Sequence, residues 1–382
     1  MNVTQSTTAL AVVCLLLMGS AFASRELLYV QEGQNLVTYT VNPTTALATK
    51  ISSLSMHASP TYPIQIFHVP KGQFLYILGF TSATQEYFWV YALAGNGAPT
   101  PDPIQLLQVK PSLTQFVFHP NGNFGYGEYS WTQLSSLCNG PGYYADIVLY
   151  TVDSVTGKLT DTNDRVANFP DNCSNITYLY GLNSTGTKLY TYNYPAQASY
   201  GDANLLYSYS AVNSNTGSLG PQVEFWDDSV SPEGERSAFT NQLIAQSYAY
   251  GTNAINVYLN TVFPQNAIIN CTSTMLQVCG DSIFAGDTES GLYFDPTGQY
   301  LFVLDATTNQ TPILHVDLTN DTLTETGSFL SSPVVPVFSH DGKMVYGNAK
   351  GTVLVNAFDQ ANGESTASST ISVPEGSQIF AW

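Results

Sequence analysis

The sequence predicts an all-β protein, a seven-bladed β-propeller whose two chain ends share one blade. Three observations support this prediction. Helical periodicity is nearly absent from the 382 residues, one tight turn recurs along the chain, and the two ends carry complementary, incomplete sets of strands. A ring of six or eight blades, or a pair of β-sandwiches, is the alternative that the same strand pattern allows.

The recurring turn joins two short apolar strands. Its clearest copies are the segments 118–122 (FHPNG), 294–298 (FDPTG) and 338–342 (FSHDG), and looser copies lie at 67–72 and 183–186. Proline fixes φ, Asn or Asp bonds its own backbone, and glycine supplies a positive φ, so each copy predicts a chain reversal. The glycines of these copies lie 50, 64, 112 and 44 residues apart, and the interval of 112 leaves room for one degenerate copy.

Two further strands follow each turn. The segments 147–152 (IVLYTV) and 205–212 (LLYSYSAV) are examples, and each precedes a second turn, at 156–159 (TGKL) and 216–219 (TGSL) respectively. Four strands in about 50 residues are the repeat of a propeller blade.

The chain ends provide the remaining blade. Residues 27–30 (LLYV) and 36–41 (LVTYTV) have the pattern of a second and a third strand without a first, whereas 378–382 (QIFAW) have that of a first strand without followers. Pairing these segments completes one blade from both ends and leaves no open sheet edge in the ring. Five turns, one degenerate copy and this shared blade give seven blades.

The amino-terminal segment predicts an exported protein. Residues 9–18 (ALAVVCLLLM) form an apolar run too short to span a bilayer, and Ala21 and Ala23 fit a cleavage site directly after them. We therefore expect a signal peptide at 1–23 and a single propeller domain at 24–382, with an uncleaved anchor as the alternative. The mature chain is expected to be secreted or otherwise extracytoplasmic.

Four cysteines remain after removal of the signal peptide. An even number in an exported chain predicts two disulfides, and sequence proximity favours Cys138–Cys173 and Cys271–Cys279. Four buried thiols are the alternative. No C-x-x-C motif and no His pair accompanies them, so we expect no metal centre of this kind and no cofactor.

The charge balance excludes several classes of partner. Ten Lys and Arg against 28 Asp and Glu give a formal net charge of −18, which argues against nucleic acids and anionic membrane surfaces. Structural calcium is compatible with the acidic segments 161–164 (DTND) and 227–228 (DD), but hydrogen bonding within their own turns explains these segments equally.

The F-x-P-x-G-x-x-L-Y turn followed by the V-x-x-x-T-G-x-L turn resembles the repeats of seven-bladed lactonase-like propellers. That superfamily contains phosphogluconolactonase-type enzymes, muconate-cyclising enzymes and YVTN-repeat surface proteins. The resemblance covers most of the mature chain and implies the fold more strongly than the function, because the matching residues are mainly structural.

The resemblance also implies where ligands bind: at the loops that lead into the innermost strand of each blade. The segment 234–239 (GERSAF) is similar to the G-x-R-H-x-x-F segment of phosphogluconolactonase-like propellers, with Arg236 as the arginine. Ser237 stands where that pattern has His, which removes the expected general acid–base. Arg236 is suited to hold a carboxylate or a lactone carbonyl oxygen, and its alternative role is a surface ion pair.

Further candidates follow from the same comparison of blades. The positions that correspond to this segment elsewhere are Gln115, Tyr178, Glu289 and Ser290. Asp287 and Glu289 bring two carboxylates towards the channel mouth, where one is suited to act as a general base towards water, solvated loop charges being the alternative. Glu128, at the end of a predicted second strand, is another ligand-binding candidate.

The recurring histidines suggest a metal site at first sight. His68, His119 and His340 all belong to the first-to-second-strand turn, but in different blades, so we expect them to fill turns rather than to bind a metal. Few cations beyond Arg236 remain near the mouth, which disfavours a phosphorylated ligand.

Two functions are compatible with these residues. The missing His and the mainly structural repeat favour a binding or interaction propeller for a small molecule, glycan or protein. The alternative is a hydrolase that opens a small, non-phosphorylated lactone, with Arg236 as electrophile and Glu289 or Asp287 as base. In both cases we expect a monomer.

Overall fold

The protein is a β-propeller made almost entirely of strands. The computed structural model describes residues 26–56, 65–68, 73–82, 85–110, 113–135, 140–172, 175–182, 185–195, 205–228, 236–239, 243–248, 254–259, 269–272, 275–280, 291–305, 307–330, 332, 334–339 and 341–381. The predicted signal peptide lies outside these residues. Among them, no helix is long and apolar enough to span a membrane.

The described strands are grouped into seven four-stranded sheets, numbered here from the amino end. Sheet 1 contains β1 (Glu26–Glu32), β2 (Asn35–Val41) and β3 (Ala48–Ser55) with the last strand, β28 (Gln378–Ala381). Sheet 2 contains β4 (Gln65–His68), β5 (Phe74–Ser82), β6 (Gln85–Ala92) and β7 (Gln105–Val109). Sheet 3 contains β8 (Leu113–Phe118), β9 (Phe124–Ser135), β10 (Gly140–Val152) and β11 (Leu159–Asn172).

The remaining sheets repeat this order. Sheet 4 contains β12 (Asn175–Leu182), β13 (Lys188–Pro195), β14 (Leu205–Val212) and β15 (Leu219–Asp228). Sheet 5 contains β16 (Arg236–Phe239), β17 (Leu243–Tyr248), β18 (Ala254–Leu259) and β19 (Ile269–Thr272), followed by a short 3-10 helix (Gln277–Gly280). Sheet 6 contains β20 (Leu292–Phe294), β21 (Tyr300–Val303), β22 (Thr311–Asp317) and β23 (Thr322–Leu330), and sheet 7 contains β24 (Val337–Phe338), β25 (Met344–Ala349), β26 (Thr352–Asp359) and β27 (Glu364–Ser372).

The first and last strands of the chain pair with each other. β28 lies antiparallel to β1, with Tyr29 opposite Phe380 and Val30 opposite Ile379. The predicted pairing of the chain ends is therefore confirmed. Sheet 5 occupies the interval in which the sequence predicts a degenerate copy of the repeat.

The hydrophobic core lies between successive sheets, because alternate residues of a strand face opposite neighbours. Leu27 and Tyr29 pack towards sheet 2, whereas Leu28 and Val30, one residue on in each case, pack towards sheet 7. Six such clusters join sheets 1 and 2, 2 and 3, 3 and 4, 5 and 6, 6 and 7, and 7 and 1 among the described residues. Sheet 7 thus packs against sheet 1.

A repeated tyrosine bond explains the L-Y and T-G elements of the sequence repeat. Tyr29, Tyr76 and Tyr126 lie on the second strands of sheets 1, 2 and 3. Each hydroxyl donates to a glycine carbonyl in the third-to-fourth-strand turn of the next sheet, at distances of 3.2, 2.8 and 2.8 Å; the acceptors are Gly97, Gly157 and Gly217. These glycines have φ of +87°, +71° and +74°. The turns therefore join neighbouring sheets as well as reversing the chain.

One of the two predicted disulfides is present. Cys271 on β19 is bonded to Cys279 in the 3-10 helix, with 5.7 Å between the Cα atoms. Both side chains are buried between sheets 5 and 6. Cys138 and Cys173 lie outside the described residues, so their pairing stays a prediction.

Candidate functional site

The candidate site is the mouth of the ring, where the innermost strands begin. We use "channel mouth" for the starts of β8, β12 and β16, at Leu113, Asn175 and Arg236. The first strands of neighbouring sheets contact one another, as β8 does β12 and β16 does β20. Strands that converge in this way surround the axis of a propeller, and loops at their starts form its usual ligand site.

Two sequence-predicted residues, Gln115 and Glu128, are brought together. They are register partners on β8 and β9, so their side chains lie on the same face of sheet 3. Glu128 is only 1% exposed, and its Oε2 accepts a hydrogen bond from the backbone amide of Leu179 on β12. Gln115 is half-buried. The pair therefore lies where sheet 3 meets the first strand of sheet 4.

Glu86 is a second buried glutamate, and it lies outside the recurring motifs of the sequence. It lies near the start of β6, is 1% exposed, and its Oε2 accepts from the amide of Leu113 at 3.3 Å. Burial raises the pKa of Glu86 to about 7, and the Leu113 amide opposes this shift. The alternating pattern of β6 contains a signal for it, because Glu86 has the inward parity of Phe88 and Val90.

Several polar side chains of sheet 3 lie on its face towards sheet 2, at the seam (the boundary between two successive sheets). The Tyr129 and Tyr150 hydroxyls are hydrogen-bonded to each other. Asp146, opposite Tyr129 on β10, forms an ion pair of 3.0 Å with Arg165. Burial raises the pKa of Asp146, and Arg165 and Lys110 counteract this rise. Charged and hydroxyl groups are therefore concentrated between sheets 2 and 3.

Of the other predicted site residues, three have a described backbone and three lie outside the described residues. Arg236 begins β16 opposite Ser247, Ser237 follows opposite Gln246, and Tyr178 precedes Leu179 on β12. Their side chains lie outside the described part of the structure. Asp287, Glu289 and Ser290 are also outside the described residues, in the segment that leads to β20.

His119 has the turn role that the sequence predicts. Its Nδ1 accepts from the amide of Asn121 at 3.1 Å, and its Nε2 lies 2.9 Å from the carbonyl oxygen of Gly186 in the next sheet. His68 ends β4, and His340 lies outside the described residues.

No set of three or more metal-ligating side chains occurs among the described residues. In the segment considered for calcium, Asp161 accepts the amide of Asn163 at 2.7 Å, as a residue of a local turn does. The side chains at 227 and 228 lie outside the described part of the chain.

No family model matches the chain, and no curated relative matches it. Solved structures do resemble it. The periplasmic gluconolactonase PpgL of Pseudomonas aeruginosa superposes with a TM-score of 0.57 at 15% identity, over 94% of this chain and 99% of that one. A Bacteroides uniformis protein, described provisionally as a 6-phosphogluconolactonase, gives a TM-score of 0.54 at 14% identity, over 93% and 100%.

A protein from Lactobacillus plantarum resembles the chain to a similar degree, with a TM-score of 0.54 at 12% identity, over 94% of this chain and all of that one. At these identities the likeness concerns the course of the backbone. The chain therefore has the β-propeller fold found in lactonase-like proteins.

Proposed function

We propose that the protein is an exported, seven-bladed lactonase-like propeller that hydrolyses a small, non-phosphorylated lactone at the channel mouth. The observation that carries this proposal is the Glu128–Gln115 pair, a buried carboxylate with a half-buried amide on the two innermost strands of sheet 3, which we assign to shaping the lactone site and not to the chemical step. The seven four-stranded sheets and the packing of sheet 7 on sheet 1 support a closed seven-bladed ring. The gluconolactonase named above suggests the substrate class.

The proposed chemistry uses residues of adjacent innermost strands. Arg236 begins β16, β16 contacts β20, and Asp287 and Glu289 belong to the segment leading into β20. In this proposal the Arg236 guanidinium binds the lactone carbonyl oxygen, and one carboxylate takes a proton from water as the water attacks the carbonyl carbon. The ring C–O bond breaks, the leaving oxygen takes the proton, and the product is the hydroxy acid.

The charges near the mouth support a substrate without phosphate. Among the described cations, Lys110 and Arg165 both act on Asp146, which neutralises part of their charge, and Lys350 lies apart from them in the hairpin between β25 and β26. A phosphate is usually held by several cations free to bind it, and the chain as a whole carries a net charge of −18.

A non-catalytic binding propeller is the second candidate. It is favoured because Glu86 and Glu128 both accept hydrogen bonds from backbone amides. Ser237 also stands where the related motif has His. Carboxylates held in this way shape a site more readily than they activate water. The ligand would be a small hydroxylated molecule, a glycan or a protein.

A lactone panel tests the proposal. We expect the full mature chain to hydrolyse D-glucono-1,5-lactone or a related neutral lactone, followed as acid release. Arg236→Ala should lower kcat/KM by about a hundredfold, the loss typical of an oxyanion-stabilising group, while Lys350→Ala should not change it. Saturable binding without turnover would favour the second candidate, and neither binding nor turnover would reject both lactone roles.

A further inference from the structure

Two successive seams of the ring contain the same arrangement. Glu86 of sheet 2 bonds the amide of Leu113 on the first strand of sheet 3, and Glu128 of sheet 3 bonds the amide of Leu179 on the first strand of sheet 4. Both glutamates are 1% exposed. In each case a buried carboxylate of one sheet holds the innermost strand of the next.

Each of these amides lies beside an irregularity in the strand. Leu113 pairs with Tyr129 whereas Gln115 pairs with Glu128, so β8 has one extra residue between these two pairs. β12 has a similar shift between Leu179 and Gly181. A bulge redirects the following side chains and disturbs the ladder hydrogen bonds around it. A carboxylate that binds the neighbouring amide fixes the bulge in place.

We propose that Glu86 is a positioning residue of the channel mouth: through the Leu113 amide it holds the bulged start of β8 and so sets where Gln115 lies. Glu128 holds β12 in the same way, through the Leu179 amide beside its bulge. The ligand-binding part of this inference rests on the proposed function, whereas the structural part does not.

Among the described residues, no charged side chain contributes to the pKa shift of Glu86, which arises from burial and the Leu113 amide alone. The Tyr129 and Tyr150 hydroxyls lie close enough across the boundary between sheets 2 and 3 for the charge of Glu86 to raise their pKa, but they are uncharged in the range where Glu86 itself titrates. Opening of this seam hydrates Glu86 and returns its pKa from about 7 towards the ordinary 4.5. By linkage, opening becomes easier as the pH rises from about 4.5 through 7.

The test compares two substitutions at one position in the full mature chain. Glu86→Gln keeps an acceptor for the Leu113 amide, whereas Glu86→Met removes it at similar size. Hydrogen exchange of the Leu113–Phe118 strand should be about tenfold faster in Glu86→Met and near the parent rate in Glu86→Gln. The same substitution at a remote buried glutamate, Glu26→Met, should leave this strand unchanged.

Lactone kinetics provide the second readout. Glu86→Met should raise KM for D-glucono-1,5-lactone about tenfold with kcat nearly unchanged, and Glu86→Gln should restore it. The protection of β8, that is, its exchange rate relative to an unstructured chain at the same pH, should lose its pH dependence in Glu86→Gln. Unchanged exchange in Glu86→Met overturns the proposal whether or not the parent acts on lactones. Faster exchange with unchanged lactone kinetics overturns the positioning of Gln115 alone, while a parent without lactone activity rejects the proposed function and leaves the exchange result decisive.

Discussion

Glu26 is a buried carboxyl group at the seam where the ring closes. It begins β1, faces Asp341 and Ser339 of sheet 7, and is 9% exposed. Burial, followed by the charge of Asp341, raises its pKa to about 7, and Lys343 opposes this rise. Lys343 is bound to Asp341 at 2.6 Å. Glu26 therefore takes up its proton near neutral pH and not near pH 4.5, and the protonated group shares that proton with the ionised Asp341 in a hydrogen bond.

This arrangement predicts a stability that falls as the pH rises. The folded pKa of Glu26 is above its unfolded value of 4.5, so its contribution is complete below about pH 4.5 and is lost as the pH passes 7. Between pH 4.5 and about 7, the free energy of unfolding should fall less in Glu26→Gln than in the parent, by on the order of 2 kcal/mol. Urea unfolding from pH 4.5 to 8.5 measures it, with the exposed Glu364→Gln as control. An unchanged pH profile in Glu26→Gln would contradict the shared proton.

The tyrosine bonds predict a contrast between two equivalent positions. Tyr76 donates to the carbonyl of Gly157, whereas the buried hydroxyl of Tyr346 in sheet 7 has no hydrogen-bond partner in the described part of the chain. By analogy with Tyr76, the Tyr346 hydroxyl would bond the third-to-fourth-strand turn of sheet 1. In that turn the carbonyl of Ala46 accepts a hydrogen bond from Ser369 Oγ of sheet 7 instead, at 2.5 Å.

Tyr76→Phe should lower the free energy of unfolding by about 1–2 kcal/mol, because it leaves a buried carbonyl without its donor. Tyr346→Phe removes the same atom without breaking such a bond and should cost less than about 0.5 kcal/mol. Equilibrium urea unfolding of both variants measures the difference. Equal losses of unfolding free energy in the two variants would show that the tyrosine–glycine hydrogen bonds do not stabilise the contact between sheets.

Part of the site is predictable at the scale of single residues and part is not. Glu128 and Gln115 are singled out by their places in the repeat, and the register brings them together. The repeat does not predict Glu86 as a site residue, because its role depends on a hydrogen bond to the Leu113 amide, which belongs to another sheet and is 27 residues further along the chain. Only the inward parity of a charged residue in β6 indicates it.

The turns show why the repeat of this chain contains glycine where it does. A Cβ on Gly157 would lie 2.4 Å from Cγ of Phe74 in sheet 2, and its φ is +71°. Gly97 and Gly217 are crowded in the same way by Leu27 and Phe124 of the preceding sheets. Glycine is thus required twice at these turns, for its backbone conformation and for the close approach of a neighbouring side chain.

Substituting two glycines separates these requirements. Gly157→Ala should destabilise the protein by about 3 kcal/mol, since the new methyl group meets Phe74 and the φ is unfavourable. Gly33→Ala, in the hairpin of β1 and β2, has a φ of +60° but no atom within 4 Å and should cost about 1 kcal/mol. Urea unfolding compares them. A similar loss in both would mean that backbone conformation alone selects glycine.

The elements themselves are predicted well where a turn motif marks them. The F-x-x-x-G and T-G-x-L turns locate the strand reversals, because their residues have intrinsic φ preferences. The bulges in β8 and β12 have no such local signal, since a register shift depends on what the strand meets in its neighbours.

At the scale of the whole molecule, the chain ends carry the information that closes the ring. The amino end lacks a first strand and the carboxyl end supplies one, so the sequence predicts that the two ends pair. The Cys271–Cys279 bond is also predictable, because the two residues are only eight apart in the sequence. The ligand is not, because the repeat that determines the fold contains few of the groups that would select a substrate.

A cross-link between β1 and β28 tests the closure of the ring most directly. Val30 and Ile379 are register partners on β1 and β28, so Val30→Cys with Ile379→Cys should form a disulfide in the folded protein under mild oxidation, identified by peptide mass. Thr38→Cys with Ile379→Cys, in which β2 replaces β1, should not. A cross-link in the first variant alone is the predicted result, and its absence, or equal cross-linking in both, would contradict a ring closed by its two ends.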